Sequence, residues 1–530
     1  MITGLERRAR RALATAARLL AAALGAAALA ATGAWAAAPA PVRIDGGLAA
    51  GVRQGDVIVY KGLPFAAPPT GDLRWRPPAP VTPWTDVRKA DAFGPGCIQA
   101  PPPAASPGRG GTFSEDCLYL NVWRPAKAKA PLPVMVWFYG GGFSGGSAAW
   151  DLFDGSALAR HGVMVVTFNY RLGPLGFLAH PALTSESGHG ASGDYGLMDA
   201  IAALKWVKRN AAALGGDPSR VTAFGQSAGS MLINDLLVSP EARGLMSGAI
   251  GESSAAMGPL DSQAPGSIAS LAATEKAGAD YAATLGAKTL ADLRRLPPDK
   301  FLSSPPWARP IVDGWIVPAA PKDAFTAGRQ TDVPTLIGSN AQEANFPTLQ
   351  PPAKAKDFDS FLTSSFGPFG PRLQKAYPFT TDDEAWRAKV DFLTDFGSRW
   401  QMWSWARLQA RTGKAPVFYY QFEQPEPLKD KALGRKIGTP HASEMLFVFQ
   451  NDRLPDWDWG PQDRRLAGQM ADYWTNFAKT GDPNGPGLPR WPRFSQAHRD
   501  VMRLKADPAP GALPGWDRLQ LIDDMIRYFK

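Results

Sequence analysis

Six short apolar runs rich in Val, Ile, Leu and aromatic residues punctuate the chain, at 134–138, 163–168, 221–224, 249–251, 335–338 and 417–422. Runs of this length and composition read as buried strands, and loops followed by helix-period segments separate them. Between the second and third runs, residues 196–210 repeat Leu197, Ile201, Leu204 and Val207 at helical spacing, which gives one apolar face. Alternating strand, loop and helix predict an α/β architecture with a mostly parallel central sheet flanked by helices. Residues from about 260 to 330 and from 350 to 410 break this rhythm and read as helical or loop insertions that form a cap. With no internal repeat and no long flexible linker in the sequence, residues 37–530 are expected to form one large domain carrying those insertions.

Composition supports a folded chain. Hydrophobic residues make up 45% of 530, enough for a sizeable core, without the charge excess of disorder. The formal charge of +9 is concentrated at the start, where Arg7, Arg8, Arg10, Arg11 and Arg18 face only Glu6; removing that +4 leaves +5. The remaining charges are mixed in sign, and no Lys/Arg run is interleaved with aromatics, so a nucleic-acid partner is not expected. The arginines precede an apolar stretch at 19–31 and then Ala34-Trp35-Ala36, which reads as an export signal over residues 1–36 cleaved after Ala36. An alanine-dominated stretch is weakly apolar for a membrane span, so cleavage is preferred to an uncleaved anchor, and no span is expected in the mature chain. Arg10-Arg11 leaves general and twin-arginine export both open. Secretion or a periplasmic location is the expected outcome.

Cys97 and Cys117 are the two cysteines, and both lie in the expected mature chain. An exported protein with one pair predicts a disulfide, which would pin a segment made mostly of Pro, Gly and Ala. Neither cysteine has a nearby histidine or a CxxC spacing, so no metal is expected, and no cofactor either.

The central chemical signal is Gly225-Gln226-Ser227-Ala228-Gly229, set between the run at 221–224 and a helix-period stretch at 231–238. Strand, tight turn and helix would hold Ser227 as an exposed nucleophile, with glycine at both flanks because a side chain there would collide with the neighbouring strand and helix. Gly142-Phe143-Ser144-Gly145-Gly146 matches the same letters, but small residues come after it instead of a helix, so Ser227 is preferred. The N–H of Ala228 at the helix start, and those of Gly141 and Gly142 in Tyr139-Gly140-Gly141-Gly142, would form an oxyanion hole.

These motifs resemble the type-B carboxylesterases, a family of α/β-hydrolase fold that includes cholinesterases and para-nitrobenzyl esterases. The likeness covers nearly the whole mature chain. It includes Gly62-Leu63-Pro64-Phe65-Ala66, Leu73-Arg74-Trp75, Ser114 through Val122, Gly215 through Gly229, Tyr473 through Ala478, and Gly481-Asp482-Pro483-Asn484. The resemblance implies Glu343, in Gly338-Ser339-Asn340-Ala341-Gln342-Glu343, as the acid of a triad. It implies His441, in Pro440-His441-Ala442-Ser443-Glu444, as the general base and acid. The order Ser, Glu, His agrees with α/β-hydrolase topology. His161, His180, His189 and His498 carry no comparable motif. The resemblance further implies that Ser253 supports the triad by orienting Glu343 or His441, and that Arg74 and Glu115 form an ion pair near the cysteine loop. Asp194 stands where many relatives carry Asn.

The expected activity is hydrolysis of a small carboxylic ester through an acyl-enzyme, rising with pH as His441 loses its proton, at about pH 6 to 7 for an ordinary imidazole. Uncharged esters are expected rather than choline esters. The segment between Cys97 and Cys117 holds no tryptophan to meet a quaternary ammonium, and Gln226 replaces the glutamate that cholinesterases place before the nucleophile. The alternative is a binding or adhesion protein without catalysis, but such relatives usually lack the nucleophile that is present here.

Overall fold

The computed structural model describes residues 39–101, 111–303, 305–345, 353–452 and 457–529. The expected leader at 1–36 lies outside the described residues, as does most of the proline-rich part of the cysteine loop. Each apolar run becomes a strand covered on both faces: every residue of Leu132–Phe138 and of Met164–Phe168 is buried. In chain order the strands of the main sheet are β1 Val52–Gln54, β2 Val57–Pro64, β3 Tyr119–Pro125, β4 Leu132–Phe138, β5 Met164–Phe168 and β6 Gly216–Gln226. They continue with β7 Gly248–Glu252, β8 Thr335–Asn340, β9 Val417–Phe422, β10 Asp500–Leu504 and β11 Ala509–Ala512.

These eleven strands lie in the order β11-β10-β9-β8-β7-β6-β4-β5-β3-β2-β1. From β10 to β5 every neighbouring pair is parallel. Antiparallel strands extend both edges. Of the strands that the apolar runs do not mark, β1 and β11 are short and largely polar or exposed, whereas β2 and β3 are longer and mostly buried; β11 contains Pro510, which an edge tolerates and a centre does not.

The helices include α1 Tyr195–Asn210, α2 Ala228–Leu236, α3 Trp400–Thr412, α4 Ser443–Val448 and α5 Trp516–Tyr528. The segment between β7 and β8 carries helices Leu271–Thr284 and Leu290–Arg295 and a two-stranded pairing of Ala269–Ser270 with Ile311–Val312. The segment between β8 and β9 carries helices Ala355–Ser365, Gly370–Ala376 and Asp382–Thr394, and ends in α3, which packs on β8 and β9. Phe358, Leu362, Leu373, Tyr377 and Phe392 form a second apolar cluster there, closed by Leu521 and Met525 of α5.

Cys97 and Cys117 form the disulfide, with Cα atoms 4.9 Å apart. Beside it Arg74 grips Glu115 through two bonds, Nε to Oε1 at 2.7 Å and Nη2 to Oε2 at 2.6 Å. Its remaining nitrogen donates to the carbonyls of Leu293 and Leu296, at the end of the helix Leu290–Arg295. One buried guanidinium thus ties the disulfide loop to the segment between β7 and β8.

The chain leaves β4 for β5 on one side and returns to β6 on the other, so a crevice opens at the carboxyl ends of β4 and β6. Register aligns the strand ends there: Gly225 lies opposite Phe138, Gln226 opposite Glu252, and Glu252 opposite Gly338.

Candidate active site

β6 ends at Gln226 and α2 begins at Ala228, so Ser227 alone makes the turn. Its φ of 56° and ψ of −123° are a sparsely populated conformation for a residue with a side chain, of the kind found at functional turns. The turn is held by the Ser227 N–H donating to the Glu252 carbonyl at 2.8 Å. The flanking glycines are forced by close approach. A Cβ at Gly229 would stand 1.9 Å from the Phe138 carbonyl oxygen, and one at Gly225 would stand 2.7 Å from both Cβ and O of Phe138.

Past β4, Gly140 runs directly beside the elbow, where a Cβ would lie 2.9 Å from Cβ of Ser227. Gly141 and Gly142 come next with φ of 126° and 61°, the first in a region open chiefly to glycine. Among the described residues the N–H groups of Gly141, Gly142 and Ala228 have no acceptor, so they remain available to an incoming oxygen. The second GxSxG match lies in this turn: Ser144 is exposed, and its hydroxyl donates to the Gly141 carbonyl at 3.1 Å.

Glu343 stands three residues beyond β8 and is 4% exposed. One of its oxygens accepts the Asn340 N–H at 2.7 Å, and the other lies 2.6 Å from Nδ1 of His441. The His441 N–H also donates to the Glu343 carbonyl at 3.2 Å, which fixes the two loops to each other. A carboxylate on Nδ1–H leaves the lone pair of Nε2 free to accept. That lone pair faces the side-chain amide of Gln226 at 3.1 Å, so the imidazole meets the residue next to Ser227 and is not hydrogen-bonded to the Ser227 hydroxyl itself. Burial pulls the His441 pKa down, but the field and hydrogen bond of Glu343, with the field of Glu444, outweigh it and leave the imidazole above its ordinary value.

Ser253 does not touch Glu343 or His441, contrary to the expectation for it. At the end of β7 its φ of 65° turns it toward α4, and its hydroxyl donates to Glu444 at 3.0 Å. Asn340 donates to the other Glu444 oxygen at 2.5 Å and to the Pro440 carbonyl at 2.7 Å. Glu444 is buried, and its carboxyl is pushed up to about 7 by desolvation and by Glu343, against the opposing pull of His441. Glu252, also buried, is raised by desolvation and by Glu444, and is held by Trp474 Nε1 at 2.8 Å. Two buried carboxyl groups, Glu444 and Glu252, are therefore both raised close to one imidazole. Glu444, Asn340 and Glu252 were not singled out from sequence. Glu444 lay in plain view, three positions after His441.

The other histidines have partners of their own. His161 bonds Asp472 and Gln450, His180 caps the helix Pro181–Glu186, His189 stacks on Trp315, and the His498 N–H donates to Ser495. Asp194 precedes α1, fully buried, and accepts the Ile311 N–H at 3.1 Å; burial and the nearby Asp313 raise its pKa well above the usual carboxylate range. Among the described residues no cluster of His, Cys, Asp and Glu is arranged to hold a metal ion.

A large mixed sheet with helices on its faces and a serine at a strand-to-helix elbow defines the α/β-hydrolase fold. The profile of the Carboxylesterase family matches residues 39–514. The chain is 39% identical to a fumonisin B1 esterase of Sphingopyxis macrogoltabida, over 84% of this chain and 82% of that one. It is 34% identical to a para-nitrobenzyl esterase of Bacillus subtilis (strain 168), over 86% and 93%. A solved PNB esterase superimposes with a TM-score of 0.76 at 31% identity, covering 91% of this chain and 99% of the other. The protein belongs to the carboxylesterase family and is a serine ester hydrolase.

Proposed function

We propose that Ser227, His441 and Glu343 carry the hydrolysis by two-step acyl transfer. His441 Nε2 exchanges its bond to Gln226 for the Ser227 hydroxyl and takes that proton as Oγ attacks the ester carbonyl. The oxyanion rests on the N–H groups of Gly141, Gly142 and Ala228. Collapse breaks the bond to the alcohol, which leaves with the proton from His441. Water then attacks the acyl-enzyme by the same route and releases the acid. The observation that carries this reading is the 2.6 Å contact of Glu343 with His441, whose far nitrogen reaches the side chain next to the strained serine.

Uncharged esters are the proposed substrates. Gln226 puts no negative charge beside the base, and no tryptophan lies between Cys97 and Cys117. A panel varying acyl length and alcohol bulk, with fumonisin B1 included because a relative is named for it, would define the range. Ser227→Ala is expected to lower kcat on the order of 10⁵-fold with the fold retained. Covalent labelling by an organophosphate, mapped by mass spectrometry, should fall on Ser227. Undiminished turnover by the variant, or no stoichiometric adduct, would overturn the assignment, and the latter would favour a binding scaffold. The leader reading places the protein outside the cytoplasm, in the periplasm or medium. N-terminal sequencing of the mature protein tests it, with Ala37 the expected first residue. No helix among the described residues is long and apolar enough to cross a membrane.

A further inference from the structure

The helix Asp382–Thr394 does not continue as an ordinary α-helix. Residues Asp395–Arg399 form a kink, opened at Gly397 by the non-helical φ of −80° and ψ of −110°, before α3 begins. In an α-helix two residues five apart point about 140° away from each other. A kink between them removes that constraint and lets both side chains meet the same neighbour.

Thr394 and Arg399 are such a pair, and both meet the loop after β8. The Thr394 hydroxyl accepts the Ala344 backbone N–H at 3.3 Å, and Arg399 Nη2 donates to the Ala341 carbonyl at 2.8 Å. The two bonds bracket Glu343. Arg399 is itself buried and bonds the buried Asp395, which is also held by the Tyr377 hydroxyl at 3.1 Å and by Arg518 of α5 at 2.7 Å. A desolvated guanidinium is costly, and apolar residues could fill the same space, so a network that ends on a loop carbonyl calls for a role beyond packing.

We propose that Arg399 and Thr394 are positioning residues that hold the Glu343 loop so that its carboxylate stays on Nδ1 of His441. This rests on the reading of Glu343 as the acid of the triad. The kink at Gly397 is the device that lets both side chains reach that loop, and the chain Arg518, Asp395, Arg399 fixes it to the C-terminal helix.

The test uses the full mature enzyme with an uncharged aryl ester. Arg399→Met removes the donor while Asp395 keeps Arg518 and Tyr377, and Thr394→Val removes the hydroxyl at nearly constant shape. The charged and polar side chains facing His441 are Glu343, Glu444 and Gln226, of which Glu343 is the one whose loop is released. Arg399→Met is expected to lower kcat about tenfold with KM within about twofold, and to move the acid limb of kcat/KM to lower pH by about half a unit or more. Thr394→Val should move both the same way, by about threefold in kcat. A merely structural role would lower thermal stability and leave the limb in place. A Thr394→Val enzyme with parental kcat and limb overturns the proposal, as does a folded Arg399→Met enzyme changed only in stability. If Arg399→Met fails to fold, Thr394→Val decides. Glu343→Gln is the control: if it too leaves kcat and the limb unmoved, the triad reading itself fails. If it is impaired while the other two are not, only the positioning proposal falls.

Discussion

Replacing Gln226 with glutamate puts a carboxylate where the amide now faces His441 Nε2 at 3.1 Å. Two unit charges about 4 Å apart attract by about 4 kcal/mol at an effective dielectric near 20. At about 1.4 kcal/mol per unit, that is an upper figure of about 3 pKa units. The imidazole is 28% exposed, and the new carboxylate would enter a neighbourhood that already holds Glu343 and Glu444, so part of the gain is lost to solvent and to repulsion. A rise of about 1–2 units remains. The substitution also exchanges a donor to Nε2 for an acceptor, which again favours the protonated ring. In the proposed mechanism the neutral imidazole is the base, so the acid limb of kcat/KM should move to higher pH by that amount. Activity at pH 7 should fall about tenfold or more, and the two enzymes should converge at about pH 9 to 10. The assay is kcat/KM for an uncharged aryl ester from about pH 5 to pH 10, with organophosphate titration fixing the active fraction. Superimposable limbs, or a loss of equal size at every pH, would refute the reasoning.

In the unaltered enzyme the acid limb should lie above the ordinary imidazole value of about 6.5, because the carboxylates outweigh burial; a midpoint below about 6 would contradict this. Replacing both cysteines with serine opens a loop with a sequence separation of 20, a loss of about 3 kcal/mol by loop entropy, to be seen as a lower Tm with Ser227 still labelled. Asp194→Asn should stabilise. A carboxyl whose folded pKa is raised loses stability as pH climbs from its unfolded value toward the folded one, so the gain, about 1–3 kcal/mol, should be larger at pH 8 than at pH 5 in denaturant titrations. Gly229→Ala, with its Cβ 1.9 Å from the Phe138 oxygen, should abolish organophosphate labelling or folding altogether.

The parallel core of the sheet was legible because its strands are short, apolar and buried on both faces; the run at 417–422 became β9 with the same bounds. β6 outgrew its run, since Gly216 pairs with Leu132 of β4 and the polar stretch to Arg220 bridges a register shift before pairing resumes at Val221, which no local pattern announces. The pairing of Glu343 with His441 could be expected only through family likeness, because a lone Glu and a lone His carry no spacing signal across 98 residues. The Gln226 amide on Nε2 and the turn of Ser253 toward Glu444 depend on side-chain directions at strand ends, which a one-dimensional pattern does not contain. The kink at Gly397 was equally hidden, since residues 350–410 read only as helical or loop insertions.

The tips of β6, β4 and β8 lead into Ser227, the glycine turn and Glu343, while the segments between β7 and β8 and between β8 and β9 leave the sheet as helical excursions. Both excursions are tied back to the rest of the fold, the first through Arg74 and the second through Thr394 and Arg399. A graft of the helices at 271–295 from a relative would therefore hold only if it again offered Arg74 two carbonyls to grip.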